Sequence, residues 1–378
     1  MAQERKKRRI VLASILKPVD DTRMFEKMAV TLAESGKFDV SVIGYPTVRN
    51  PSFKEIEFIS FPAFNRISIQ RIMTRWKIFR EVWKIRPLLL IITTHELLPQ
   101  ALILKILLNT VIVYDVQENY YRNILHSGSF PLVIRWPLAV LVRLKEKLLA
   151  PSIDHFFLAE RGYEKEFKFH RGGWSVVENK AHPSSQLPFS SGRLQRTRSE
   201  KLNLLFSGTL AESTGVFWAI DMAKGLHHLD SNVTLTIIGK AALRHERERI
   251  QREINDVDFI TFVGGEEPVP HSEIIQAIEK ADFGIIAYPP SHHTRNSHPT
   301  KLFEYLNHQL PIILDRQWTW IERYLEYQPF AFFNFTNPDY SALLNDLKSK
   351  TFYPRTPENV TWESEKTVFL TALGKFIV

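Results

Sequence analysis

Short runs of aliphatic and β-branched residues alternate along this chain with longer stretches whose apolar positions recur every three or four residues. In the first half the strand-like runs are Arg9–Leu16, Phe38–Gly44, Ile56–Phe61, Leu88–Thr94, Val111–Val116, His155–Glu160 and Ser175–Glu178. The spacing between them predicts helices at Met24–Glu34, Ile67–Ile85, Pro99–Leu108 and Leu132–Leu149. Continuous apolar strands separated by helices are the pattern of a parallel sheet covered on both faces. From about Asn179 to Lys201 the pattern lapses into NKAHPSSQLPFSSGRLQRTRSEK, a linker or long surface loop. It then resumes with strands at Asn203–Ser207, Val233–Ile238, Phe259–Val263, Phe283–Tyr288 and Pro311–Leu314. Helices at Gly215–Leu229, Leu243–Ile254 and Pro270–Lys280, and a short one opened by Pro299, lie between them. The expected fold class is α/β, with two doubly wound parallel-sheet (Rossmann-like) domains facing a cleft. Residues 1–180 form the first domain, 181–201 the linker, 202–355 the second domain and 356–378 a terminal helix. Ligands of such sheets bind beyond the carboxyl ends of the strands.

The segment FGIIAYPPSHHTRNSHPTKLFEYLNHQLPIIL carries the most chemistry. Pro299 suits a first helical turn, where its missing N–H would have had no intrahelical partner. The free N–H groups of that turn and the helix dipole favour a phosphate. Lys301 adds a full charge there, and Glu304 follows three residues later on the same face. A carboxylate at that place can accept from two neighbouring sugar hydroxyls, so one helix end is suited to a diphosphate and a ribose. The alternative is an ordinary α/β helix with a surface Lys–Glu pair.

PTKLFEYL, a short turn and PII resemble the nucleotide-sugar site of GT-B glycosyltransferases of the group 1 (family 4) branch. KPVDDTRMFEKMA, THELLPQA, IVYDVQENY and LLFSGTLAESTGVFWAI fit the same pattern in order, so the resemblance covers nearly the whole chain. It implies transfer of a sugar from a nucleoside-diphosphate sugar to an acceptor hydroxyl, with retention of configuration. A glycan or lipid-linked acceptor in cell-surface polysaccharide synthesis is the expected context. The first domain would bind acceptor, the second the nucleotide sugar, and the terminal helix would pack back toward the first. The donor side would draw on Gly208, Thr209, Lys240, Tyr288, Arg295, Asn296, Ser297, Thr300, Lys301 and Glu304. The acceptor side would draw on Asp20, Asp21, Arg23, Asp115 and Glu118, with His95 and Lys301 as catalytic groups. The chain departs from the family pattern in three places. Pro18-Val19-Asp20-Asp21 stands where glycines are common, Asn296 stands where a glutamate is common, and SGTLAESTG lacks the usual Arg and Lys. Two other readings therefore stay open: a non-catalytic GT-B scaffold that binds nucleotide or glycan, and, more weakly, a sugar-nucleotide epimerase.

Composition narrows the alternatives. Zero cysteines exclude disulfides, thiol nucleophiles and Cys-ligated zinc. Neither cofactor nor metal is expected. Asp256-Val257-Asp258 spells a metal-binding string but leads into a strand, and His292, His293 and His298 lack a nearby carboxylate ligand. No Walker loop or Gly-x-Ser-x-Gly motif occurs. The basic start runs directly into a strand without a small-residue cleavage site, so no leader is expected, and no run approaches the length of a membrane helix. A cytoplasmic protein, peripheral on the inner face of the membrane, is the expectation.

Charge is unevenly placed, with 27 Lys and Arg against 17 Asp and Glu in residues 1–170, and 22 against 24 thereafter. No zinc-finger, helix-turn-helix or RNP-like motif accompanies the excess, so no nucleic-acid partner is expected. Within Arg66–Arg86 seven cations face one acid, Glu81, and interleave with Ile69, Ile72, Met73, Trp76, Phe79 and Trp83. The spacing predicts that these six form one stripe packed on the sheet, with the cations turned toward an anionic membrane surface.

Overall fold

The computed structural model describes residues 8–47, 51–62, 64, 68–126, 130–169, 172–182, 201–290 and 296–377. The chain divides into two compact units, one of Met1–His182 with Trp362–Val378 and the other of Pro183–Thr361. Each is built on its own parallel sheet.

In unit 1 the strands are β1 (Arg8–Pro18), β2 (Phe38–Tyr45), β3 (Ile56–Ser60), β4 (Leu89–Ile92), β5 (Val111–Val116), β6 (His155–Leu158) and β7 (Trp174–Val176). They form one sheet of seven strands in the order β3-β2-β1-β4-β5-β6-β7, parallel throughout. Runs such as Leu89–Ile92 are wholly buried, which is why they carry no polar alternation. After β1 a π-helical stretch (Thr22–Ala29) runs into α1 (Val30–Glu34), capped by Asp21, whose side chain accepts from the N–H groups of Arg23 and Met24. The remaining helices are α2 (Ile69–Ile85), α3 (Leu98–Leu108), α4 (Tyr120–His126) and α5 (Leu132–Leu149). One layer of the core holds Ile78 and Val82 of α2 with Leu98, Ala101 and Leu104 of α3.

The opposite layer holds Met24, Met28 and Leu32 with the last helix of the chain.

Unit 2 repeats the plan with β8 (Leu202–Thr209), α6 (Val216–Leu229), β9 (Val233–Lys240), α7 (Arg244–Ile254), β10 (Ile260–Gly265), α8 (His271–Lys280), β11 (Phe283–Ile286), α9 (Thr300–Asn307), β12 (Ile312–Leu314), β13 (Phe330–Phe332) and α10 (Tyr340–Ser349). Its six parallel strands run β10-β9-β8-β11-β12-β13. The final helix, α11 (Trp362–Ile377), belongs to unit 1, where Trp362 and Phe369 are buried against its sheet.

Strand order reverses between β1 and β4 in unit 1 and between β8 and β11 in unit 2. At such a reversal the two flanking loops part, leaving a crevice at the carboxyl edge. The loops after β1 and β4 carry Asp20, Asp21 and His95, while Gly208 and Thr209 end β8 and the loop after β11 carries Tyr288 and the approach to α9. Topology alone therefore puts these residues at the carboxyl edge of each sheet.

The stripe expected to pack α2 on the sheet is not the buried one. Thr74, Ile78 and Val82 face inward, while Ile69, Ile72, Met73 and Trp76 are exposed, and Phe79 and Trp83 are half-buried. The helix carries two apolar faces, and the smaller side chains lie against the sheet because they fit closer to it.

Candidate functional site

In unit 2 the site forms around the N-terminal turn of α9. Pro299 occupies the cap position in extended backbone (φ −59°, ψ 135°), and no side chain caps the turn. Thr300 is exposed at its first position. Lys301 is buried, at 6% exposure, and its Nζ makes no hydrogen bond. The ammonium lies 4.1 Å from the centre of the Phe206 ring and 5.5 Å from that of Tyr288, faces that favour a cation without neutralising it. Burial lowers its pKa from 10.5 to about 7, against the opposing pull of Glu304.

Gly208 completes this corner. Its φ of +100° is left-handed, and a Cβ there would sit 3.9 Å from the Lys301 Cε, so bare backbone borders the lysine. The neighbouring strand crowds it further, because a Cβ on Gly239 would meet the Gly208 carbonyl oxygen at 1.8 Å. Gly215 opens α6 at φ +84°, where a Cβ would strike the Ala287 carbonyl oxygen at 1.7 Å. Backbone therefore approaches too closely for a side chain where β8 meets β9 and where α6 meets the residue after β11. Thr209 and Lys240 pair in register at the ends of β8 and β9, both exposed, with Leu210 N–H donating to the Lys240 carbonyl at 2.9 Å.

One turn into α9, Glu304 Oε1 and His271 Nε2 are 2.9 Å apart. His271 is the first residue of α8, on the loop after β10, and residue-by-residue reading passed over it. The signal available was its position at the end of the loop between β10 and α8, at the ligand edge. Tyr305 and Ser207 share a hydrogen bond of 2.9 Å in the core, tying α9 to β8. Before the helix, Asn296 accepts from Thr319 at 2.8 Å and the Ser297 carbonyl accepts from Trp320 Nε1 at 2.9 Å. Tyr288 meets Trp318 edge to face. His298 stacks with Phe303 and Trp320, in an aromatic cluster instead of a solvated loop. Arg295, with His292 and His293, lies outside the described residues.

In unit 1, His95 follows β4 in a short 3-10 turn (His95–Leu97) and is buried. Its ring meets Tyr120 edge to face at 4.7 Å. Lys145 of α5 donates to Nδ1 at 2.6 Å, which leaves the imidazole proton on Nε2, 3.7 Å from Glu96 Oε2. Burial lowers the His95 pKa to about 4; Glu96 opposes that shift, and the cations Lys145, Arg71 and Arg75 add to it. The ring is therefore neutral at physiological pH, with its proton on Nε2. Lys145 is itself lowered to about 8 by burial, held up in part by Glu96 and Glu146. Burial raises Glu96, but His95 and Arg71 outweigh it and leave the carboxyl below its usual value, in an ion pair with Arg71. Sequence reading missed Lys145, which lies on a helix 50 residues away from its partner.

Three acceptor-side expectations need correction. Arg23 and Asp115 are 2% and 0% exposed and form a bidentate ion pair, with Nε to Oδ2 at 2.9 Å and Nη2 to Oδ1 at 2.7 Å. The pair is buried inside the fold and joins the π-helical stretch after β1 to β5, and Asp115 Oδ2 also accepts from Gln117 at 2.9 Å. Asp21 is the helix cap already described. Asp20 accepts from Thr47 Oγ1 at 2.6 Å, and Glu118 takes Lys17 at 3.4 Å and Asn123 at 3.0 Å while remaining partly exposed.

Compared with known proteins, the architecture has clear counterparts. Sucrose-phosphate synthase from Thermosynechococcus elongatus superposes with a TM-score of 0.70 over 98% of this chain and 99% of its own, at 13% identity. The chain has the GT-B fold. HepE from Anabaena, solved with UDP-glucose, matches with a TM-score of 0.63 over 97% of this chain and 99% of its own, at 13% identity. A putative UDP-N-acetylglucosamine 2-epimerase from Listeria monocytogenes matches at 0.57, 12% identity, over 98% and 96%. No protein-family model and no curated protein matches the sequence. A GT-B frame hosts more than one reaction, so the reading of this chain's chemistry turns on its own residues.

Proposed function

We propose that this protein is a glycosyltransferase that moves a sugar from a nucleoside-diphosphate sugar to an acceptor hydroxyl. One observation carries the reading: the Lys301 ammonium, buried and without a hydrogen bond, at the uncapped N-terminal turn of α9. A buried amine without a counterion is costly unless a ligand supplies the charge. A diphosphate at this turn would meet the N–H groups of α9, the dipole of the helix, the bare backbone at Gly208 and Lys301 together. Glu304, oriented by His271, offers its other oxygen to the ribose hydroxyls. The donor class is the one that HepE was solved with.

Breaking the sugar–phosphate bond puts new negative charge on the departing diphosphate. Lys301 and the α9 dipoles are already aimed where that charge grows, and preorganised dipoles stabilise a transition state without reorganising. Neutral His95, held by Lys145 with its proton on Nε2, serves the acceptor as a hydrogen-bond donor. Retention of configuration belongs to the same reading. So do a glycan or lipid-linked acceptor in surface-polysaccharide synthesis and a cytoplasmic place with unit 1 against the inner face of an anionic membrane. Arg295, Thr209 and Lys240 are further donor contacts in this proposal.

Asn296 favours a second reading. It stands where related enzymes use a glutamate and is engaged with Thr319, which suits a scaffold that binds nucleotide without turnover. Thermal-shift screening against UDP-, GDP-, ADP- and dTDP-sugars, followed by donor hydrolysis without acceptor, separates the two. A transferase hydrolyses its donor slowly, a scaffold is stabilised but leaves it intact, and an epimerase converts the sugar. No shift with any nucleotide sugar overturns both binding readings.

A further inference from the structure

On unit 1, α3 packs against both α2 and α5. Of 18 exposed large apolar side chains among the described residues, 13 stand on these three helices. The outward face of α2 presents Ile69, Ile72, Met73 and Trp76, and the start of α5 presents Leu132, Val133, Ile134 and Trp136. α5 turns Ala139, Val142 and Glu146 inward, yet Leu141, Leu144 and Leu148 make a second stripe on its outer side. A surface helix ordinarily carries polar residues there. An apolar surface of this extent marks an interaction face.

Charge decides what covers it. The three helices hold ten Lys and Arg against two acids, Glu81 and Glu146. Lys77, Arg80, Lys84 and Lys147 are exposed among the apolar residues. A second copy docked through the same face would set cation against cation. A bilayer with anionic headgroups supplies phosphates for the cations, an acyl boundary for Leu, Val and Ile, and the interfacial zone that indoles prefer. No helix among the described residues is long and apolar enough to cross a membrane, so the contact is one of lying on the surface.

We propose that unit 1 inserts the Leu132–Trp136 end of α5 and the Ile69–Trp76 half of α2 into the surface of an anionic bilayer. Arg71 of α2 pairs with Glu96, and Lys145 of α5 holds His95, so both helices are pinned at the edge that carries His95. From Lys145, α5 runs on about 20 Å to Leu132 at 1.5 Å per residue. The inserted end of α5 thus lies about 20 Å along the helix from the residue that holds His95, a distance that an acceptor carried on a lipid can bridge. The inference rests on the peripheral placement proposed above and not on the chemistry assigned to Lys301.

The test uses the full chain without donor or acceptor, sedimented with vesicles of phosphatidylcholine alone and of phosphatidylcholine with phosphatidylglycerol, at low and high salt. Binding to the mixed vesicles, weakened but not abolished by salt, with a blue shift of tryptophan emission, is expected. Val133→Ser with Trp136→Ser should weaken it about tenfold or more and leave donor binding and the unfolding midpoint in place, since both side chains are exposed. Lys77→Glu with Arg80→Glu should remove the preference for phosphatidylglycerol. A parent that ignores both vesicles, or an apolar variant that binds like the parent, overturns the proposal. Concentration-dependent self-association that the apolar variant abolishes, without vesicle binding, would assign the face to a second copy. Failure of donor binding leaves the vesicle result standing, so the two readings fail separately.

Discussion

Replacing Lys301 by Met should make the protein more stable and less functional at once. Burial holds the Lys301 pKa near 7 against 10.5 in the unfolded chain. Between those values the unfolded chain binds the proton and the folded chain does not, so stability rises with pH across that window, by about 1.4 kcal/mol per unit. Below pH 7 both states hold the proton and the full penalty is present. At pH 7 the lysine therefore costs about 4 kcal/mol, an upper figure because local relaxation and water entry reduce it. Met fills the same space beside Phe206 and Tyr288 without a charge. For a unit of this size the midpoint of thermal unfolding should rise on the order of 10 °C at pH 7, with the gain shrinking toward pH 10. Binding a diphosphate should restore the ordinary pKa, so the donor brings in a proton above pH 7. Affinity of the parent should then fall roughly 100-fold between pH 6 and pH 9, and the Met variant should bind weakly with no such dependence. Transfer by the variant should drop on the order of 100-fold. Scanning calorimetry from pH 6 to pH 10 and titration calorimetry with a nucleotide sugar read both effects, and the difference between parent and variant isolates this one lysine. Equal stability at pH 7 would show that the ammonium is neither buried nor unpaired. Parallel pH profiles for donor affinity would remove Lys301 from the site.

Three further outcomes are expected. Glu304→Ala should weaken nucleotide binding about tenfold to 100-fold through the lost ribose contacts, whereas His271→Ala should weaken it less; equal binding by the parent and Glu304→Ala in a titration would move the ribose elsewhere. His95→Ala should keep donor affinity and lose transfer, with the unfolding midpoint separating this from a folding defect. Asp115→Ala should cost about 3–5 kcal/mol of stability by stranding the buried Arg23 while leaving donor affinity unchanged, as denaturant titration and ligand binding would show.

The two parallel sheets were legible because buried strands such as Leu89–Ile92 and Ile312–Leu314 are unbroken apolar runs between helical spacings. Helix α5 was read to its observed ends, Leu132–Leu149. β13 escaped because three residues inside an aromatic run have no period. α10 escaped although Asp339 caps it and Leu343 and Leu347 give it a buried face. Periodicity also could not choose between the two apolar faces of α2, since only the third dimension says which one meets the sheet. Within the site, Pro299, Lys301 and Glu304 were visible as a spacing on one short helix. The burial of Lys301 under Phe206, and the pairings of His95 with Lys145 and Arg23 with Asp115, join residues 50 to 95 positions apart. No local pattern reports them: Arg23 looked like a loop residue and Asp115 like the end of a strand, both placed to meet a ligand.

The closing helix α11 has a consequence for how the protein is made. Trp362 N–H donates to the Ala181 carbonyl at 2.8 Å, its indole donates to Thr31 at 2.9 Å, and Glu365 takes the Glu178 N–H and pairs with Lys180. Trp362, Phe369 and Leu373 then fill the layer beside Leu12 and Val40. Unit 2 is thus an insertion between the first 182 residues of unit 1 and the helix that seals it. On the ribosome, the unit begun first is finished last. Until α11 emerges, nascent unit 1 shows an open apolar flank for as long as it takes to synthesise the whole of unit 2.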